Sequence, residues 1–248
     1  MEDHRTASHW DAVYQGSGLS TVDVPDDDAV GCAALEAFGT VDGARLLDLG
    51  CGGGEYSRFF AGRGARVTAV DQSEVAISAL RDDCGAHSLN TITPVVADAF
   101  EIERLGPFDF VFGSMILHHL EPFDAFVGVL ARSMAPGGVA FFYENSAMSQ
   151  TLVWSRTHLV GRFGIPKHGD DEEFPLEPRE IDELRREFDV RVTYPELLFT
   201  RLISSYVLRG HGERLFGAID AGLFRFERAR KLSYRQYLVL RRGTSSRR

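Results

Sequence analysis

The sequence predicts an α/β fold: one parallel, doubly wound sheet with helices on both faces. Three observations carry this reading. Strand-like and helix-like segments alternate from residue 45 to residue 143, as βαβ units require. A glycine-rich loop, Gly50-Cys51-Gly52-Gly53-Gly54, follows the first strand. The 248 residues fill one large domain but are few for two ordinary ones.

The elements follow in order. Arg45-Leu46-Leu47-Asp48-Leu49 is a short buried strand, and Glu55 to Arg63 reads as a helix closed near Gly62 and Gly64. Arg66-Val67-Thr68-Ala69-Val70 is a second strand, and Ser73 caps the helix that carries Val75, Ala76, Ala79 and Leu80. The third strand, Thr91 to Ala97, contains Pro94, which cannot donate to a sheet ladder and so belongs near an edge. Phe108 to Phe112 is the fourth. Phe123, Phe126, Val127, Leu130 and Met134 form the stripe of a helix packed on a sheet, stopped by Pro136-Gly137-Gly138 before a fifth strand, Val139 to Tyr143. A helix opened by Pro178 runs through Ile181, Leu184 and Phe188. Arg191 to Tyr194 and Tyr234 to Leu240 are the sixth and seventh strands. The chain is read as a single domain over 1–248. Its irregular stretches, 145–177 and 200–231, form insertions over the carboxyl end of the sheet, where open α/β sheets bind ligands. Two acidic clusters, Asp26-Asp27-Asp28 and Asp170-Asp171-Glu172-Glu173, suit exposed loops or helix starts.

Composition narrows the function. Apolar residues make up 44% and charged residues 25% of the chain, values of a globular protein and not of a disordered or collagen-like one. No apolar run approaches the roughly 20 residues of a membrane span, and the polar start lacks a signal-peptide stretch. The expectation is a cytoplasmic protein without a membrane partner. Three cysteines, Cys32, Cys51 and Cys84, contain no C-x-x-C pair, so reduced thiols are expected and no metal site is implied. Residues 1–150 hold 8 Lys/Arg against 22 Asp/Glu, and residues 151–248 hold 19 against 14. An acidic front does not favour nucleic acid, whose binding rests on clustered basic side chains. The basic back reads as a solvated helical surface or as a greeting for an anionic substrate.

The glycines after the first strand let the backbone approach a ligand. A dinucleotide site would want a further glycine at G-x-G-x-x-G, but Glu55 follows Gly54, and a carboxylate there disfavours a pyrophosphate. A ligand without phosphates is expected. Asp71, 21 residues beyond Gly50, ends the second strand where a carboxylate can accept from both ribose hydroxyls, and Asp98 follows the third strand. Alone, either aspartate also reads as a cap or turn residue.

In these segments the sequence resembles the class I S-adenosylmethionine-dependent methyltransferases. The resemblance rests on Leu47-Asp48-Leu49-Gly50-Cys51-Gly52-Gly53-Gly54, Asp71, Val96-Ala97-Asp98-Ala99, Phe108-Asp109-Phe110-Val111 leading to Leu117-His118-His119-Leu120, and Leu130 to Gly138. It covers about residues 9–145 well, and 178–240 as a pattern only. It implies a Rossmann-like seven-stranded sheet of order 3-2-1-4-5-7-6 with strand 7 antiparallel, helical insertions after strands 5 and 6, and S-adenosylmethionine as cofactor. The implied cofactor residues are Gly50, Cys51, Gly52 and Gly54 at the methionine part, Asp71 at the ribose, Gln72, Asp98, Ala99 and Phe100 around the adenine, and Ser114 near the methyl end. Tyr14, in His9 to Tyr14, resembles the family's lid; packing of Trp10 and Tyr14 on the core is the competing reading.

The cofactor's sulfonium already activates the methyl group, so alignment of a nucleophile is the main task, worth roughly 7–11 kcal/mol. A general base adds typically about 10²–10⁴-fold. The candidates are His118, His119 and Glu144, after strands 4 and 5. Equally, the histidines can cap or pack their helix and Glu144 can bind backbone amides. Gly113-Ser114-Met115 offers no carboxylate for a divalent metal. Substrate residues are expected in the insertions: Trp154, Arg156, His158, Arg162, Lys167 and His168 in one, and Phe199, Tyr206, Arg209 and His211 in the other. They suit a planar or anionic molecule. The expected activity is methyl transfer to a small-molecule acceptor, with a specialised metabolite as the expected class. The alternatives are cyclisation or decarboxylation on the same fold, and a non-catalytic binding module. Oligomeric state and acceptor atom are open.

Overall fold

A computed structural model describes residues 7–17, 19, 23–149, 175–197, 199–206, 208 and 211–244. Seven strands form one sheet: β1 Arg45–Leu49, β2 Arg66–Asp71, β3 Ile92–Val96, β4 Phe108–Ser114, β5 Met134–Asn145, β6 Phe188–Thr193 and β7 Arg235–Arg242. Their order is β3-β2-β1-β4-β5-β7-β6. The first five are parallel, and β7 runs antiparallel between β5 and β6. Pro94 therefore lies on the edge strand, where its missing N–H faces no neighbour.

The helices are α1 Ala7–Ser17, α2 Ala29–Phe38, α3 Glu55–Ala61, α4 Glu74–His87, α5 Phe123–Ser133, α6 Pro178–Glu187, α7 Thr200–Tyr206, α8 Glu213–Leu223 and α9 Glu227–Arg230. Local chemistry explains their starts. Asp28 caps α2 by accepting from the amides of Val30 and Gly31 at 3.0 and 2.8 Å, and Ser73 caps α4 through Ala76. Glu177 and Glu180 make a reciprocal capping box around Pro178, the first residue of α6.

Successive residues of each central strand feed opposite cores, which is why these strands read as nearly continuous apolar runs. Leu47, Val111, Phe142 and Leu238 pack with Phe126 and Leu130 of α5 and Leu184 of α6 on one face. Leu46, Phe112, Phe141 and Tyr237 pack with Phe38 and Phe60 on the other. Burying each large apolar side chain contributes about 1.5–3 kcal/mol.

Two differences from the sequence reading have clear causes. The fifth strand begins at Met134, which pairs with Phe108, and its register jumps so that Val139 pairs with Phe110. Residues 135–138 bulge out between these pairs; Pro136 has no amide to give the ladder, and Gly137 takes φ +79°. The helix α2 precedes the first strand, its span lying beyond the acidic cluster that was read only as a possible helix start. Most of the 145–177 stretch, including Asp170 to Glu173, lies outside the described residues. The 200–231 stretch holds α7, α8 and α9.

Candidate active site

The carboxyl ends of β1 to β4 open into one cleft, bordered by Tyr14, Gly50, Asp71, Gln72, Asp98, Ala99, Phe100, Ser114 and His119, with Trp10, Met115, Ile116 and Leu120. A second cavity adjoins it, bordered by Asp48, Cys51, Gly52, Gly53, Glu55 and Tyr56. Tyr14, Gly50 and Ser114 border both. Of the residues read as cofactor-binding, Gly54 alone borders neither.

The loop after β1 is pinned to the neighbouring strand: the amides of Gly50 and Cys51 both donate to the Val70 carbonyl, at 2.8 and 3.0 Å. Gly50, Gly52 and Gly54 have φ of +69°, +49° and +78°, a region that L side chains rarely adopt. A Cβ on Gly50 would fall 2.9 Å from the Ile116 side chain, and one on Gly52 3.2 Å from the Tyr14 hydroxyl. A Cβ on Gly54 would strike Leu80 of α4 at 2.4 Å, so glycine there leaves room for that side chain at the start of α3.

Asp71 is buried, and burial pushes its carboxyl above the usual range against the pull of its hydrogen bonds. It accepts from the amides of Ser73 and Gly52 at 2.9 and 3.0 Å and from the Tyr14 hydroxyl at 3.5 Å. Asp98 caps the 3-10 turn Ala99–Arg104 through the Phe100 amide at 2.8 Å while remaining exposed at the cleft. It thus combines the cap reading with a position on the cleft wall.

The first helix is fastened across this cleft. Asp11 of α1 accepts from the Ser73 hydroxyl at 2.5 Å and the Val75 amide at 3.2 Å, and Trp10 meets the His119 ring edge-on at 5.0 Å. Burial and the adjacent Asp71 both raise the Tyr14 phenol well above its ordinary value.

The three candidates for proton transfer occupy different layers. His119 borders the cleft. His118 lies beneath it, its ring centroid 4.0 Å from that of His119, with its side chain 3% exposed. Glu144 is fully buried: Oε1 accepts from the amides of Ile116 and Leu117 at 2.8 and 2.7 Å, and Oε2 pairs with His118 Nδ1 at 2.7 Å. Glu144 therefore anchors the 3-10 turn Leu117–His119, which presents His119.

Trp154, Arg156, His158, Arg162, Lys167, His168 and Arg209 lie outside the described residues, as does the Tyr206 side chain. Phe199 and His211 are described, and neither borders the two cavities. Sequence reasoning missed Met115, a non-glycine residue at φ +57° whose amide donates to the Tyr143 carbonyl at 2.8 Å. No sequence signal marks it. It also missed Arg235, whose signal was a cation at the start of an otherwise alternating strand.

The residues present suit a nucleoside ligand: glycine amides approach at one end, a buried carboxylate stands in the middle, and apolar Ala99, Phe100 and Leu120 flank an exposed aspartate at the other. The sheet order is that of the Rossmann-like class I methyltransferase fold. Residues 46–138 match the profile of the methyltransferase domain family. The ubiquinone biosynthesis O-methyltransferase of Caulobacter sp. (strain K31) is 37% identical over 143 residues, 56% of each chain. The chain thus matches little more than half the length of that relative. Among solved structures, one from work on conversion of a disulfide bond into a thioacetal group during echinomycin biosynthesis is 22% identical with a TM-score of 0.59, covering 97% of this chain and 94% of that one. The [4+2]-cyclase SpnF is 16% identical with a TM-score of 0.60, covering 97% of both. These likenesses concern the fold. Among the described residues no helix is long and apolar enough to cross a membrane.

Proposed function

We propose that the protein transfers a methyl group from S-adenosylmethionine to a hydroxyl oxygen of a small molecule, with His119 as the base. The observation that carries this reading is the meeting of Gly50, Asp71, Asp98, Ser114 and His119 at one cleft. The Caulobacter relative, named an O-methyltransferase, supports oxygen as the acceptor atom.

Asp71 would hold the ribose hydroxyls, Asp98 the adenine amine, and the Gly50 to Gly52 backbone the methionine end. When bound, S-adenosylmethionine supplies the activated methyl group and is left as the thioether S-adenosylhomocysteine. The chain's own residues then have two tasks. Trp10 and Tyr14 cover the cleft and exclude water. His119 accepts the acceptor's hydroxyl proton as the oxygen–carbon bond forms and passes it on to solvent. Glu144 and His118 position that imidazole. Helices α7 to α9 belong to the single 1–248 domain as part of its acceptor-side cap, and a specialised metabolite is the substrate class we favour.

The test is an assay of S-adenosylhomocysteine formation across a panel of phenols, with product mass measured. A gain of one methyl per S-adenosylhomocysteine supports the reading. Conversion of an acceptor without consumption of S-adenosylmethionine would transfer support to cyclisation or decarboxylation on the same fold, and failure to bind the cofactor would leave a binding module of another kind.

A further inference from the structure

A cation, Arg235, stands immediately behind the cleft wall, and among the described residues it has no acidic partner. Arg235 opens β7 opposite Asn145, and Tyr237 lies opposite Tyr143, which itself pairs with Ser114 of β4. Directly paired residues in adjacent strands share a face, and alternate residues along a strand return to it. Ser114, Tyr143, Asn145, Arg235 and Tyr237 therefore line one face at the carboxyl edge of the sheet, beside the cavity that Ser114 borders.

The guanidinium is held by neutral groups. Nη1 donates to Asn145 Oδ1 at 2.7 Å and contacts Met115 Sδ at 3.3 Å. The guanidinium carbon lies 5.3 Å from the Tyr143 ring centroid and 5.8 Å from that of Tyr234. Met115 borders the cleft with Ser114 and His119, so Arg235 is one side chain away from it. Arg235 is half-buried, and among the described residues no carboxylate forms an ion pair with it. Glu196 is one of the acidic groups that raise the Tyr143 phenol, and its carboxylate is engaged by Arg201 at 3.2 Å.

The arrangement specifies which edge of the guanidinium is free. With Nη1 committed, the Nε and Nη2 hydrogens have no protein acceptor among the described residues, and this is the edge that pairs with a carboxylate through two parallel hydrogen bonds. Aromatic faces and the Asn145 bond fix the fork in place before any ligand arrives, which lowers the ordering cost of binding. The half-buried Tyr143 ring, backed by the buried Tyr237 ring at 5.5 Å, adds an aromatic face beside it.

We propose that Arg235 is the anchor of the acceptor subsite and that the acceptor is an aromatic hydroxy acid, its carboxylate held by Arg235 while its hydroxyl is presented for methylation. This rests on the methyltransferase reading above and deepens it. A lysine at 235 would keep the charge but lose the paired geometry.

The experiment measures binding to the full chain saturated with S-adenosylhomocysteine. The probes are 4-hydroxybenzoate, 3,4-dihydroxybenzoate and 4-hydroxycinnamate, each against its neutral carboxamide, by calorimetry or ligand-observed NMR. At least one acid should bind ten or more times tighter than its amide. R235M should remove that preference, R235K should restore less than half of it on a logarithmic scale, and neither should change S-adenosylhomocysteine affinity. The unchanged cofactor affinity reports that the variants fold. Equal binding of all acids and amides, no binding of any probe, or full preference in R235M overturns the proposal. Failure of the wild-type chain to bind S-adenosylhomocysteine overturns the methyltransferase reading itself, a result distinct from the others.

Discussion

Glu144 Oε2 lies 2.7 Å from His118 Nδ1, with the two side chains 0% and 3% exposed. Because Oε1 also binds the amides of Ile116 and Leu117, one carboxylate fixes the whole turn that carries His119. His119→Ala should slow turnover by about 10²-fold or more while S-adenosylmethionine affinity, measured by calorimetry, stays within a few-fold. Full activity in this variant would show that alignment alone suffices.

Glu144→Gln should act through the turn. Its amide group cannot accept all three hydrogen bonds, and an unsatisfied buried partner costs about 1–3 kcal/mol. Urea unfolding should show that loss, accompanied by slower turnover with little change in cofactor affinity. An unaltered unfolding midpoint would contradict the anchoring role.

Asp71→Ala should weaken cofactor binding about tenfold or more, since hydrogen bonds to a charged group contribute roughly 1.5–3 kcal/mol each. The same titration with NAD should show no measurable competition. Unchanged affinity for S-adenosylmethionine would remove Asp71 from the ribose site.

Asp48 predicts a pH dependence. It is 2% exposed, and burial pushes its carboxyl from 3.8 up to about 7, opposed by the Ser57 hydroxyl that donates to it at 2.5 Å. The folded state therefore binds this proton more tightly than the unfolded one. Its contribution to stability is intact below about pH 4 and is lost as pH rises to about 7, on the order of 4 kcal/mol for the full shift. Asp48→Asn cannot ionise and can still accept from Ser57. Unfolding curves at pH 5 and pH 8 should show the variant gaining on the wild type at the higher pH; a gap independent of pH would refute this.

Asp220 of α8 caps α7 from outside, accepting from the amides of Phe199, Thr200 and Arg201 and from the Thr200 hydroxyl at 2.7 to 3.2 Å. Asp220→Ala should cost about 1–3 kcal/mol, seen as a lower urea midpoint and faster proteolysis within 200–223. Wild-type resistance would mean that α7 needs no such cap.

Much of this molecule was legible in one dimension. The alternation of periods marked the strands and helices because each buries a regular stripe, and Pro94 pointed to the sheet edge because it has no amide to share. The glycines of 50–54, Asp71 and Asp98 were legible as site candidates because they end successive parallel strands, and such ends meet at one crevice. Element ends were less legible: the bulge at 135–138 depends on pairing with β4, a partner that the local pattern does not contain.

By itself the sequence determined the order of elements, the glycine loop and the acidic residues after β2 and β3, since periodicity and turn chemistry act over a few neighbouring residues. Only the tertiary structure separated His118 from His119, because consecutive side chains of a 3-10 turn point about 120° apart and packing decides which one meets the cleft. Only it brought Arg235 to Met115, 120 positions away in the chain, since a contact of that span is created by sheet order and strand register, which no short stretch of residues encodes.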